Sequence, residues 1–324
     1  GIVAISIDPY AQGGSSSSMS RRAATTEGYG MFALVDYIYN TDILNYIDKD
    51  KIAATGHSAG GLAAMRGAQH FGKLSKKTST PSKLQSVFVS GMLRMGFKDK
   101  DLKKIRSNVG VSYALYDEGA WQNELGHGDL NQAPEILRLV NHQENSTDNL
   151  DAVEIGRYYG DVDNKNMSVV FNEPVLHPFQ PYSFDAISNQ INFFLRVFKM
   201  PGNANDIGQI WYWKELLTLV SLVCSFILII PAARLLLTLP YFKTLVQPVP
   251  ESFSKPTGKG KNLFWISIIL SSLIACISFI PLSELSKTLF TDASNRIQTW
   301  FFPQRMNNAV MLWAILNGIV GLLL

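Results

Sequence analysis

Ile52-Ala53-Ala54-Thr55-Gly56-His57-Ser58-Ala59-Gly60-Gly61-Leu62-Ala63-Ala64-Met65 sets a short apolar run, a glycine-flanked serine and a small-residue helix in succession. This is the order of strand, tight turn and helix in which a serine hydroxyl is held out as a nucleophile. The Gly-x-Ser-x-Gly spacing of Gly56, Ser58 and Gly60 has a steric reason. The serine takes a strained backbone conformation, and a Cβ two residues away on either side is expected to strike the neighbouring strand or helix. Ser58 is therefore expected to stand exposed at the carboxyl end of a strand, beside the N–H of Ala59 and the helix N-terminus, which face any oxyanion formed there. His57 fills the variable position of the turn and is expected to pack or hydrogen-bond beside it. The alternative is a glycine-rich turn whose serine only caps the helix; the matching flanking elements argue against it.

Working outward, Gly1–Asp8 is a continuous apolar run of the kind found in a strand buried on both faces of a parallel sheet. Pro9 ends it, and the loop from Ala11 to Ser20 holds Gly13-Gly14 and four serines in a row. Tyr29, Phe32, Val35 and Tyr39 recur at helical spacing over Glu27–Tyr39. Further strands are expected at Leu84–Ser90, Val109–Tyr116 and Ser168–Phe171, with a closing amphipathic helix over Phe184–Phe198. This alternation predicts an α/β fold with a doubly wound, mostly parallel sheet and a ligand site at the carboxyl ends of its strands. Catalytic partners of Ser58 are then sought just past strand ends. Asp117 follows Val109–Tyr116, and His177 lies between Ser168–Phe171 and the last helix, giving the chain order serine, acid, histidine. Glu118 is the rival acid and His127 the rival histidine, although no strand precedes His127. His70 and His142 are expected on solvated surface, and Asp8 is expected to buttress the loop beside it. Trp121, Phe179 and Tyr182 are candidates for an acyl pocket or for ordinary packing.

The segments Val35-Asp36-Tyr37, Ile47–Ile52 and Gly56–Gly61 together resemble the α/β-hydrolase superfamily, in particular its esterase, lipase and dienelactone-hydrolase-like members. Ile5–Tyr10 resembles the strand and Asp-x-x-Gly-x-Gly-x-Ser loop found upstream in that family, although Tyr10-Ala11-Gln12-Gly13-Gly14 departs from its Gly-His-Gly. The resemblance covers about residues 1–200. It implies a Ser58, Asp117, His177 triad, with the Ala59 N–H as one oxyanion donor. Family members carry more strands before this point, and the loop after their third strand gives the second donor. The sequence is therefore expected to be truncated at its N-terminus, and at its C-terminus as well.

Charge divides the chain in two. Residues 1–210 hold 20 Lys and Arg against 22 Asp and Glu, a balance of −2, and the remainder holds 9 against 4, a balance of +5. In that remainder, Leu216–Leu239 carries only Arg234, Leu263–Leu282 carries no charge, and a third stretch over 307–324 is uncharged to the last residue. About 20 helical residues cross a hydrocarbon core, so a catalytic domain over 1–200, a linker over 201–215 and a membrane domain over 216–324 with about three transmembrane helices are expected. Arg234, Lys243, Lys255, Lys259 and Lys261 lie in or beside the first connecting loop, and Lys287, Arg296 and Arg305 in the second. Positive charge favours the cytoplasm, which puts the catalytic domain on the outer face. Lys255–Lys261 superficially resembles a phosphate-binding loop, but no strand precedes it and its spacing is wrong. Cys224 and Cys276 fall inside the apolar stretches, so no disulfide framework is expected in the first 200 residues. The Cys and His spacings give no zinc pattern, and neither metal nor cofactor is expected.

The combined expectation is a membrane-bound enzyme that cleaves carboxylic esters through a Ser-His-Asp triad and an acyl-enzyme. Its partners would be a membrane and a small-molecule or lipid ester, not a nucleic acid. A serine peptidase of the same fold, or a receptor or transport component with a hydrolase-like domain that only binds, are the competing expectations.

Overall fold

A computed structural model describes residues 1–10, 15, 27–93, 95–144, 150–204, 208–248, 255–295, 297 and 299–323. The expected loop Ala11–Ser20 lies outside the described residues except for Ser15, and so do Arg296 and Leu324. Two units are distinguished, one made of Gly1–Asp206 with Leu282–Met311, the other of Ile207–Pro281 with Leu312–Leu324.

In chain order the described elements of the first part are α1 (Met31–Asn40), β1 (Ala53–His57), α2 (Ala59–Thr78), β2 (Ser86–Ser90), α3 (Asp99–Leu102), β3 (Asn108–Ala114), α4 (Pro134–Glu144), β4 (Tyr158–Tyr159), β5 (Ser168–Glu173) and α5 (Phe184–Val197). The strands form one five-stranded sheet in the order β1-β2-β3-β5-β4. Its first four members are parallel, and β4 runs antiparallel at the edge. Every residue of β2 and β3 is buried, the state that a parallel strand reaches when helices cover both sheet faces. Alternation along the strands divides the core. Val87, Val89, Val109, Val111 and Val170 face one layer with Phe32, Met65 and Ile136. Phe88, Val169 and Phe171 face the other with Phe193 and Val197 of α5. Gly110 leaves the room this second layer needs, because a Cβ there would lie 2.4 Å from the Phe88 ring and 2.9 Å from that of Phe193.

Several sequence expectations shift. Gly1–Asp8 forms no strand, and Ile2, Val3, Ile5 and Ile7 are exposed. An apolar run becomes a strand only by pairing its backbone, and none of the five strands takes it as a neighbour. The helix expected from Glu27 begins at Met31, because Gly28, Tyr29 and Gly30 all have positive φ and form a 3-10 turn first. A helix not expected from the sequence, α4, lies between β3 and β4, with Ile136, Leu139 and Val140 buried.

In the second part, helices α6 (Trp211–Leu236), α7 (Pro240–Lys243), α8 (Lys259–Leu289), α9 (Thr291–Ser294) and α10 (Arg305–Leu323) follow. Three of them, α6, α8 and α10, are long and apolar enough to cross a membrane. Several of their hydroxyls bond within the helix, as where Ser225 Oγ donates to the Ser221 carbonyl and Ser271 Oγ to that of Ser267. Within the second unit the Trp313 indole N–H donates to the Ala275 carbonyl at 2.8 Å, joining α10 to α8. Cys224 and Cys276 are free thiols in these helices.

Candidate active site

Ser58 sits between β1 and α2 at φ 57°, ψ −115°. A non-glycine residue held at such an angle costs about 1–3 kcal/mol and persists only where its surroundings fix it. Here the Ser58 N–H donates to the Ser90 carbonyl at 2.9 Å, and its own carbonyl accepts from Leu62 N–H at 3.0 Å. The turn is sterically closed at Gly56, where a Cβ would lie 2.4 Å from the Gly60 carbonyl carbon. Gly60 itself faces open space, so the expected collision there does not occur. The tight position is Gly61, whose Cβ would come 2.6 Å from the Ser90 carbonyl oxygen. The close approach of helix to sheet thus falls one residue beyond the motif. Ser58 is partly exposed and Ala59 is exposed. The Ala59 N–H makes no hydrogen bond among the described residues, and it remains available beside the serine.

Asp117 and His177 meet across 60 residues of chain. His177 Nδ1 lies 2.8 Å from Asp117 Oδ2, and the Asp117 side chain is almost fully buried. A carboxylate only accepts, so Nδ1 carries the proton and Nε2 is left as the acceptor. Asp117 is held in turn by the Gly119 N–H, which donates to Oδ1 at 2.7 Å. The rivals are not in place: Glu118 points to solvent, and His127 is exposed, its Nδ1 accepting from the Asp129 N–H in a local turn.

The imidazole of His177 reaches the end of β1 through His57, the two ring centroids standing 4.4 Å apart. Gly91, just past β2, makes this meeting possible. It has φ +61°, and a Cβ there would lie 2.5 Å from His57 Cε1 and 3.0 Å from His177 Cε1. Ser90 shares a 3.1 Å hydrogen bond with His57 Nδ1. Neither Ser90 nor Gly91 was singled out from the sequence, although their place at the end of an apolar run marks a strand terminus. No hydrogen bond joins Ser58 Oγ to His177 among the described residues; such contacts are often long until a Michaelis complex forms.

Burial, and then the neighbouring His177, push the His57 pKa below its ordinary value. The Asp117 charge and the His177 backbone act in the opposite direction, without a hydrogen bond of ordinary geometry between His57 and that backbone. The neutral form of His57 is favoured by this burial. Tyr113, in the core behind Asp117, is pushed up to about 12, chiefly by burial, with Asp117 and Glu135 adding to the shift and Asn123 opposing it. His70 is not solvated as expected: it stacks on Phe32 at 4.5 Å, and burial lowers its pKa. His142 is half-buried and lowered for the same reason. Of the candidate pocket residues, Trp121, Phe179 and Tyr182 are all exposed. A separate cleft of about 300 Å³ between β1 and α5 is lined by residues that include Thr55, His57, Gln180, Pro181, Ile187 and Ile191, and by neither Ser58 nor His177.

No protein-family model, curated protein or solved structure matches this chain. The functional reading therefore rests on the residues and their geometry.

Proposed function

We propose that this chain is a membrane-bound serine hydrolase of the α/β-hydrolase type that cleaves carboxylic esters. The observation that carries the reading is the 2.8 Å pairing of His177 with Asp117 over the same sheet end that presents Ser58 at a strained, positive φ. In this reading His177 Nε2 takes the Ser58 hydroxyl proton as Oγ attacks the acyl carbonyl, and Asp117 fixes the tautomer and stabilises the imidazolium. The tetrahedral oxyanion receives the Ala59 N–H and the positive end of α2. The intermediate collapses to an acyl-enzyme as the alcohol leaves with the proton held by His177. Water then repeats the sequence, His177 serving as base and then as acid.

Proximity to a bilayer makes lipid or other membrane-partitioned esters the natural substrates. The excess of Lys and Arg in and beside the loop between the first two apolar helices favours an extracytoplasmic catalytic unit. Hydrolysis of p-nitrophenyl esters of graded acyl length, compared with peptide anilides and with a Ser58→Ala control, tests the reaction class. Ester turnover lost in the control is expected. Turnover of anilides alone would assign a peptidase, and turnover undiminished in Ser58→Ala would remove the reading.

A further inference from the structure

Glu173, the last residue of β5, is 3% exposed, and no cation pairs with it among the described residues. Neutral groups hold it instead. Ser112 Oγ of β3 donates to Oε2 at 2.9 Å, Gln180 Nε2 reaches the same oxygen at 3.2 Å, and Asn189 Nδ2 of α5 donates to Oε1 at 2.9 Å. Gln180 Nε2 also donates to Ser112 Oγ at 2.6 Å. A carboxylate buried among neutral donors is costly compared with an apolar side chain in the same space. Packing alone gives no reason for it.

The place of Gln180 supplies one. His177 opens the 3-10 turn His177–Tyr182, and side chains three residues apart eclipse in a 3-10 helix. Gln180 is therefore one turn beyond His177 on the same face. Pro178 and Pro181 lack the N–H through which a turn holds itself, so the side-chain tether carries more of the fixing. The carboxylate also dictates which way the amide points: Nε2 faces Glu173, and Oε1 is buried without a partner. Flipping the amide would set oxygen against oxygen.

We infer that Glu173, acting through Gln180, is the positioning device that sets where His177 stands over the strand ends. Asp117 fixes the rotation of the ring from one side, and the Glu173–Ser112–Gln180 chain fixes the turn that carries it. Asn189 locks the same carboxylate to the following helix. This inference rests on the serine-hydrolase reading. Glu173 and Gln180 are not proposed to touch substrate.

The test is fluorophosphonate labelling of the full chain in detergent, resolved into a maximal inactivation rate and a half-saturating probe concentration. Gln180→Met keeps the volume and removes the donor. It is expected to lower the maximal rate on the order of 10- to 100-fold while the half-saturating concentration stays within about 2-fold, since a small misplacement of a catalytic group acts on the chemical step. Glu173→Leu is expected to fall as far. Glu173→Gln, whose amide oxygen still accepts from Ser112 and Gln180 while Asn189 turns its own amide oxygen toward the new NH2, is expected to recover most of the rate. Thermal midpoint and near-ultraviolet circular dichroism report folding of each variant. A Gln180→Met protein labelled at the wild-type rate would overturn the inference and leave the hydrolase reading standing, as would a lower rate accompanied by a raised half-saturating concentration and a lowered midpoint. A folded wild type that takes no label would remove both.

Discussion

Val87, Phe88 and Val89 in β2 and Ile227, Leu228, Ile229 and Ile230 in α6 are equally apolar runs, yet the first is at most 1% exposed and the second 60–63% exposed. The difference lies in what surrounds them. In β2 the side chains alternate between two core layers built by α1, α2 and α4 on one side and α5 on the other. In α6 they project on every side of a 26-residue helix long and apolar enough to cross a membrane, and a helix apolar all round needs a bilayer or other protein around it. Apolar composition therefore encodes two different destinations, and period and length distinguish them.

Substitutions at matched positions sharpen that contrast. Phe88 packs against Phe193 with ring centroids 5.3 Å apart, and Phe88→Ala is expected to destabilise the α/β unit by about 3–5 kcal/mol. Phe226→Ala, at a side chain 63% exposed in α6, should leave that transition unchanged by denaturant titration in detergent. Equal losses at the two sites would erase the distinction. Leu228→Arg places a charge in the middle of α6 and is expected to cost about 2.5–3.5 kcal/mol of insertion free energy, read as a shift of protein into the soluble fraction on alkaline extraction. Undiminished membrane retention would count against a spanning role for α6.

Gly61→Ala brings a Cβ to 2.6 Å from the Ser90 carbonyl and is expected to destabilise by about 1–3 kcal/mol. Gly60→Ala meets nothing within 4 Å and is expected to be neutral to slightly stabilising. The reverse ranking in chemical denaturation would place the close helix contact at the wrong glycine.

The smallest effect is on pH. His57, His70 and His142 all have pKa values lowered mainly by burial. The folded chain then binds fewer protons than the unfolded chain just below the ordinary histidine value of about 6.5. Stability is expected to be level above that value and to fall as pH drops below it, with a shallower fall in His70→Phe. A midpoint that rises on acidification to pH 5.5 would contradict the burial of these rings.

Much of this was legible because local rules governed it. The elbow follows from steric demands inside six residues, and the apolar helices follow from length and absence of charge. Asp117 and His177 could be placed by their position after strands, because a parallel sheet gathers strand ends at one edge. What escaped depends on contacts between distant segments. Gly1–Asp8 has the composition of a buried strand, and composition does not say which backbone it would pair with. Gly91 and Ser90 matter only because His57 and His177 converge on them. The Glu173, Ser112, Gln180 and Asn189 cluster spans 77 residues of chain without a repeating pattern. Helix α4 is a different case, since Ile136, Leu139 and Val140 are spaced as a helix face and were readable.

The most direct measurement is mass spectrometry of the full chain after reaction with a fluorophosphonate, with the adduct mapped to its residue in wild type and in Asp117→Asn. The account predicts modification of Ser58 in the wild type, slowed about 10⁴-fold when the acid no longer holds the imidazole tautomer. A folded wild type left unmodified at Ser58, or one modified equally fast in Asp117→Asn, would contradict it.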